Sequence, residues 1–310
     1  MAEMLYNLLY RLICICMDPL SHLLSLYPVR TALDIRCRFG APWVLDHAGT
    51  PHGVAPYHLI VRGEAQADGL TLQTGDLIVF PHGGAHQLHI GDPAHASALR
   101  IEPGVLRLAS NDGDGAQTDI LCGEFHFDAD GSAGLLAALP QVLVVRTAGR
   151  PDAQSLRYLL RMLQEEADAP RGGSEAIIRQ LASALFALLI RTWLEQTLAV
   201  PGLFGVLAER RLQAAINGML TAPEKPWTLE DLAATSHMSR ATFARLFKQA
   251  ANATPADVLA QLRMARAARL LDEGRQAGEV GEAVGYQSEA AFNRAFKRQY
   301  GVGPGAYRRR

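Results

Sequence analysis

The hydrophobic pattern changes its period along the 310-residue chain. Between residues 30 and 128, apolar and polar side chains alternate in short runs. YHLIVRGEAQ, LTLQTGDLIVF, HQLHI, SALRIEPG and DILCGEFHF read as strands parted by Gly, Asp and Pro turns. Many short strands at close spacing predict a sandwich or barrel. From Gly134 the period becomes helical. SLRYLLRMLQEEA is amphipathic, and LFGVLAERRLQAAINGML predicts one further amphipathic helix. SEAIIRQLASALFALLIRTWLEQTL is apolar nearly all round, which predicts burial, between two subunits in one reading. TAPEKP breaks the pattern and is the candidate linker; everything after it is helical. The fold class is multidomain α+β, with a β-barrel first, then a helical segment, then an all-α end.

The helical end repeats itself. SRATFARLFKQAANATPADV, from Ser239, returns 49 residues later as SEAAFNRAFKRQYGVGPGAY, from Ser288. Thr228 and Asp231 have the spacing of a capping box that opens a helix. SHM ends that helix, and Ser239 caps the next. Phe243, Leu246 and Phe247 then form an apolar face, with Arg240, Ala241, Ala244, Arg245 and Lys248 opposite. In the second copy Phe292, Ala295 and Phe296 face inward. Gln287 and Ser288 lead in, and Glu289, Ala290, Asn293, Arg294, Lys297 and Arg298 lie outside. Two short helices about a tight turn, with a basic outer face, suit a DNA major groove. Two such units joined by PADVLAQLRMARAARLLDEG would read a longer site within one chain. Double-stranded DNA is the expected partner.

Charge agrees. The net charge is −1, but from Pro223 onward 14 Lys and Arg stand against 9 Asp and Glu, leaving 16 against 22 for the remainder. Only the basic segment is expected to meet a polyanion. Four cysteines, Cys14, Cys16, Cys37 and Cys122, are too few and too irregular for a disulfide framework. No signal-peptide cleavage site and no apolar run long enough to span a bilayer are read, so the cytosol is the default. In MDPLSHLLSLY, Asp18 is a candidate N-cap and Pro19 the first helical residue. Residues 1–16 read as a tail or a start codon placed too early, or else as a membrane-surface or partner-binding helix.

The segment Trp227–Arg309 resembles the AraC/XylS-type DNA-binding domain. The resemblance is carried by Gly285-Tyr286, Ser288 with Phe292, Phe296-Lys297, Gly301 with Pro304, and Tyr307-Arg308. Gly281 departs from it, standing where that family usually has Ala. Glycine costs about 1 kcal/mol in a helix interior, which predicts a loose helix there. In GDLIVFPHGGAH, Gly75, Pro81, Gly83 and His86 resemble the second cupin motif, and YHLIVRGEAQ resembles the first. Metal-dependent cupin enzymes supply two His and a Glu from the first motif. Here the Glu position falls on Pro56, so the resemblance implies a sensor rather than an enzyme, and no catalytic residue is assigned.

From about Met17 to the end, the layout resembles the AraC branch whose sensor is a cupin, a branch that includes reactive-chlorine-sensing activators of enteric bacteria. That resemblance implies a cupin-like sensor at 17–133, a helical linker or dimerisation segment at 134–222 and a double helix-turn-helix at 223–310, after an extension at 1–16. It implies a transcription activator whose partners are promoter DNA, RNA polymerase and a second copy of the chain, with no membrane partner. Cys37 (before Trp43) and Cys122 (before Gly123) match cysteine positions of the branch. The implied signal is hypochlorous acid or a related oxidant.

Thiol chemistry permits this. Oxidation to a sulfenyl species followed by attack of a second thiol gives a disulfide, provided the thiol is accessible and its pKa lowered. Arg36 and Arg38 flank Cys37, but in a strand they point to the opposite face. The plain alternative makes both cysteines small buried hydrophobes. Eight of the ten histidines lie between His47 and His126. His58 and His86, with Cys37 or Cys122, are candidate sensing residues and candidate ligands for Zn or Cu(I). No fixed ligand spacing supports a metal, and no cofactor is required. An organic effector or a metal in the barrel, a cupin enzyme fused to a DNA-binding module, and an architectural DNA-binding protein remain as competing readings.

Overall fold

A computed structural model describes residues 17–104, 106–128, 133–169, 171–197, 200 and 202–309. The extension with Cys14 and Cys16 lies outside the described residues. The chain forms two compact units. One takes residues 29–128 and 139–197. The other takes residues 17–28, 133–138 and the chain from 200 to 309. The segment expected at 134–222 is therefore divided between them.

The first unit is a pair of sheets. Its strands are β1 (Val29–Gly40), β2 (Trp43–His47), β3 (Val54–Arg62), β4 (Glu64–Ala67), β5 (Leu70–Gln73), β6 (Leu77–Val79), β7 (His86–Ile90), β8 (Arg100–Glu102), β9 (Arg107–Ser110), β10 (Gln117–Phe127) and β11 (Leu143–Val145). Seven pair in the order β11-β6-β3-β10-β1-β9-β8, and four in the order β2-β7-β4-β5. Among the described strands, only β1 and β9 pair in parallel. Successive side chains of a strand face opposite ways, and β10 shows the result. Ile120 and Cys122 turn toward the core with Cys37, Phe39, Trp43, Ile60, Leu72, Ile78, Phe80 and Leu88. Phe125 and Phe127 turn the other way and meet the ring of Phe186 at 5.1 and 5.3 Å.

Strand β1 is not legible from alternation because four charges, Arg30, Asp34, Arg36 and Arg38, interrupt it. The structure explains the pattern. Arg36 lies on the face away from Cys37 and is nearly buried, paired with Asp119 of β10 at 3.4 Å and with Asp168. Asp168 ends the helix Gln154–Asp168, which with Ser174–Gln196 is the helical part of this unit. By length and composition alone Ser174–Gln196 could cross a bilayer, against the sequence expectation. Its Ile178, Ala182, Leu185, Phe186, Leu189, Ile190 and Trp193 are buried within the fold.

Twelve α-helices are described in the chain: α1 (Pro19–Leu26), α2 (Ala133–Ala137), α3 (Gln154–Asp168), α4 (Ser174–Gln196), α5 (Leu203–Ala208), α6 (Gln213–Thr221), α7 (Leu229–Thr235), α8 (Arg240–Ala251), α9 (Pro255–Asp272), α10 (Ala277–Ala283), α11 (Glu289–Tyr300) and α12 (Pro304–Tyr307). The Asp18 side chain caps α1 by accepting from the Ser21 amide at 3.0 Å. The single helix expected over 203–220 is two. Glu209 adopts an extended backbone between them, and its carboxylate accepts from the Arg211 amide. The expected linker is pinned rather than free. Arg263 of α9 donates to the Pro223 carbonyl at 2.7 Å and to the Lys225 carbonyl at 3.1 Å.

The β1–β10 ladder requires a glycine. A side chain at Gly123 would run into the Ala32 carbonyl and the Tyr57 hydroxyl, which itself donates to Ala32 at 2.9 Å. Gly123→Ala is expected to cost about 1–3 kcal/mol by overpacking. Thermal unfolding of the full chain should show a lower Tm; an unchanged Tm would contradict this packing.

Candidate functional site

Two sites emerge, one in each unit. In the first, all four expected sensing residues lie together. Cys37 pairs in register with Ile120, and Cys122 with Ile35, so the two cysteines are diagonal neighbours on the inner face of β1 and β10. Both are buried. Across the next ladder Cys122 stands directly opposite His58 of β3, and His58 Nδ1 lies 3.0 Å from Cys122 Sγ. His86, on β7 of the facing sheet, completes the row: its Nε2 is 2.7 Å from His58 Nε2, and its Nδ1 is 2.8 Å from the Gly84 carbonyl. Phe80 and His47 stack on His86, at 3.5 and 4.7 Å between ring centres. His47, Phe80 and Gly84 were not singled out from sequence, and their only signal was closeness to the histidine-rich run.

The electrostatics favour neutral forms. The Cys122 thiol is pushed well above its ordinary range by its hydrogen bond with Cys37, by burial, and by the charge of Asp34. Burial, with His86 and His47 nearby, holds His58 well below the usual imidazole range. His86 is also lowered, chiefly by burial, although the Gly84 carbonyl works against that. This is not the exposed, acidified thiol that sequence reasoning required for reactivity.

A metal fits poorly. Two imidazole nitrogens bound about 2.0–2.1 Å from one tetrahedral ion lie about 3.3 Å apart. Here they are 2.7 Å apart, a hydrogen-bond distance. Among the described residues, no three His, Cys, Asp or Glu side chains are arranged to hold an ion.

The second site is the repeated phrase. The capping box of Thr228 and Asp231 is formed, and Ser239 and Ser288 cap α8 and α11 by accepting from Thr242 and Ala291 amides. Each preceding helix ends on a left-handed residue, His237 at φ 52° and Gly285 at φ 84°. The Met238 and Tyr286 amides reach back to the Ala233 and Gly281 carbonyls, both at 2.9 Å, as in a Schellman closure. One residue separates the left-handed position from the N-cap in the first copy, and two in the second. Gln287 is thus an inserted turn residue. Phe243, Phe247, Phe292 and Phe296 are fully buried. At Gly281 in α10 a Cβ would stand 3.1–3.2 Å from Phe292 carbons, so the ring packs closely against this glycine.

Of the residues expected to face DNA, Ser239, Arg240, Ala241, Arg245 and Lys248 are exposed in the first copy, with Ala244 partly covered. In the second, Gln287, Ser288, Glu289, Arg294, Lys297 and Arg298 are exposed and Asn293 is partly covered. Arg240 is engaged with Glu230 at 2.8 Å, a pairing the sequence did not suggest.

A two-sheet cupin followed by two helix-turn-helix units defines a one-chain transcription regulator, and comparison with known proteins agrees. The cupin family profile matches residues 18–195, and a helix-turn-helix domain profile matches residues 232–310. The RCS-specific transcriptional activator RclR of Escherichia coli is 31% identical over 301 residues, covering 95% of this chain and 98% of RclR. The regulator MtrA of Neisseria gonorrhoeae is 32% identical over 94% of this chain and 98% of its own length. An AraC-like transcription regulator of Streptomyces lividans is 30% identical over 94% of this chain and 98% of its own. The chain belongs to the AraC-type transcription regulators with an N-terminal cupin domain, and its helix-turn-helix domain binds DNA.

If Arg245 and Arg294 contact base edges, Arg245→Ala and Arg294→Ala should each weaken binding to the cognate site by about 1–3 kcal/mol, with less effect on random DNA. Titrations on both DNAs check this; equal losses would mark phosphate contacts instead.

Proposed function

We propose that the cupin unit reports reactive chlorine through Cys37 and Cys122, and that their oxidation changes how the chain acts at its promoter. The observation that carries this is the placement of two buried cysteines as diagonal neighbours on adjoining strands, with an imidazole nitrogen 3.0 Å from one of them. The two sulfurs must close to the ~2.0 Å of an S–S bond to be joined. That closure would draw β1 against β10.

The consequence would travel along β1. Only Tyr27 and Pro28 separate β1 from α1, whose contacts place it in the DNA-binding unit. There Arg269 of α9 donates to the Ser25 carbonyl at 2.5 Å. A strain in β1 would thus bias the α1–α9 contact and, with it, the populations of DNA-binding states. An effector held between the sheets is less well supported, because Phe39, Trp43, Phe80 and Leu88 fill that space. In this reading α9, about 27 Å long at 1.5 Å per residue, spaces α8 and α11 for two successive major grooves.

Peptide mass spectrometry of reduced protein, before and after a few equivalents of hypochlorite, tests the signal. A Cys37–Cys122 crosslink forming before methionine oxidation is expected, together with altered promoter binding that Cys37→Ser abolishes. Thiols that stay reduced while methionines oxidise would overturn the proposal. Native mass spectrometry of the same sample is expected to show no bound metal.

A further inference from the structure

The thiolate, not the thiol, is the strong nucleophile, yet Cys122 is buried and its protonated form is favoured. A base must therefore touch it, and the hydrogen bonds identify one. The Gly84 carbonyl can only accept, so His86 Nδ1 carries the hydrogen of their 2.8 Å bond. A neutral His86 then has a bare Nε2. The hydrogen of the 2.7 Å bond between the rings comes from His58 Nε2. His58 Nδ1 is left bare, and its lone pair meets Cys122 Sγ at 3.0 Å. One backbone carbonyl thereby sets two tautomers and aims a proton acceptor at the thiol.

We infer that His58 is the general base that activates Cys122, and that His86 is a positioning residue that fixes its tautomer and receives the relayed proton. The inference rests on the oxidant reading above and supplies its chemistry. The Cys122 proton passes to His58 Nδ1 as the Nε2 proton moves to His86 Nε2. The sulfur takes chlorine from hypochlorous acid; the departing hydroxide regains the proton and becomes water. The Cys37 sulfur then attacks Cys122, displaces chloride and releases its own proton. Two thiols and one hypochlorous acid give a disulfide, water, chloride and a proton. The transient charge is better placed on His86 than on the more deeply buried His58. His86 Nδ1 keeps the Gly84 carbonyl and Asp68 favours the charged form, against burial and His47, which oppose it. The other titratable groups around the row are Asp34 and Cys37 from β1 and Tyr57 from β3.

Two measurements on the full chain test this. Long-range proton–nitrogen spectra of the reduced, ¹⁵N-labelled protein should show His58 protonated on Nε2 and bare on Nδ1, with His86 the reverse. The opposite His58 tautomer would overturn the relay, whatever the variants do. Quenched-flow alkylation with peptide mass spectrometry should then show hypochlorite consuming the Cys122 thiol at least tenfold more slowly in His58→Gln, against the ~10²–10⁴ typical of general-base catalysis. Gln retains hydrogen bonding but cannot shuttle a proton. His86→Gln should be slowed to an intermediate degree. Equal rates in wild type and folded variants would sink the relay and leave thiol sensing intact. Unreactive thiols in the wild type would instead remove the oxidant reading itself.

Discussion

The antiparallel pairing of β1 with β10 is the constraint on which the cupin unit depends. Eleven residue pairs hold the two strands together, with one register shift between Leu33 and Ile35, and the six pairs from Ile35 to Gly40 share the register that sets the thiols. Register decides face, since a slip by one residue would turn every side chain over. In this register the inner face carries Cys37, Ile120 and Cys122, and the outer face carries Arg36 against Asp119 and Asp168. Gly123 lets the Tyr57 hydroxyl reach across to Ala32 beside the same ladder. Core, buried ion pair and thiol pair are thus consequences of one alignment.

The same ladder makes the cysteines unlike free surface thiols. Both are buried, and Cys122 adjoins a hydrogen-bonded row that crosses from one sheet to the other. A buried polar row of this kind is tolerable because each member is satisfied. It ends on a backbone carbonyl, which fixes the direction of every hydrogen in it.

The helical unit follows a different logic. Each helix-turn-helix is small, and its stability comes from phenylalanines set at helical spacing beneath an exposed basic surface. Its turns are closed by left-handed residues and its recognition helices by serine caps. These are local devices, so the faces of the repeated phrase follow from helical spacing alone. Gly281 shows the limit of local reasoning. Propensity marks it as a weakness and cannot show that the Phe292 ring packs closely against it.

The sequence by itself determined the multidomain α+β plan of a strand-rich part followed by helices, the paired serine-capped helices, the α1 cap at Asp18, and the candidate thiols and histidines as types in a strand-rich region. These follow from periodicity and short-range hydrogen bonding, which reach only a few residues along the chain. Tertiary structure decided what met what. It found β1 beneath a run of charges that local alternation could not explain, broke the helix expected over 203–220, and fastened the Pro223–Lys225 backbone to Arg263. It also brought Cys37, His58, His86 and Cys122 into one row from four strands of two sheets. No spacing along the chain encodes that row, because strand pairing and sheet packing join residues tens of positions apart.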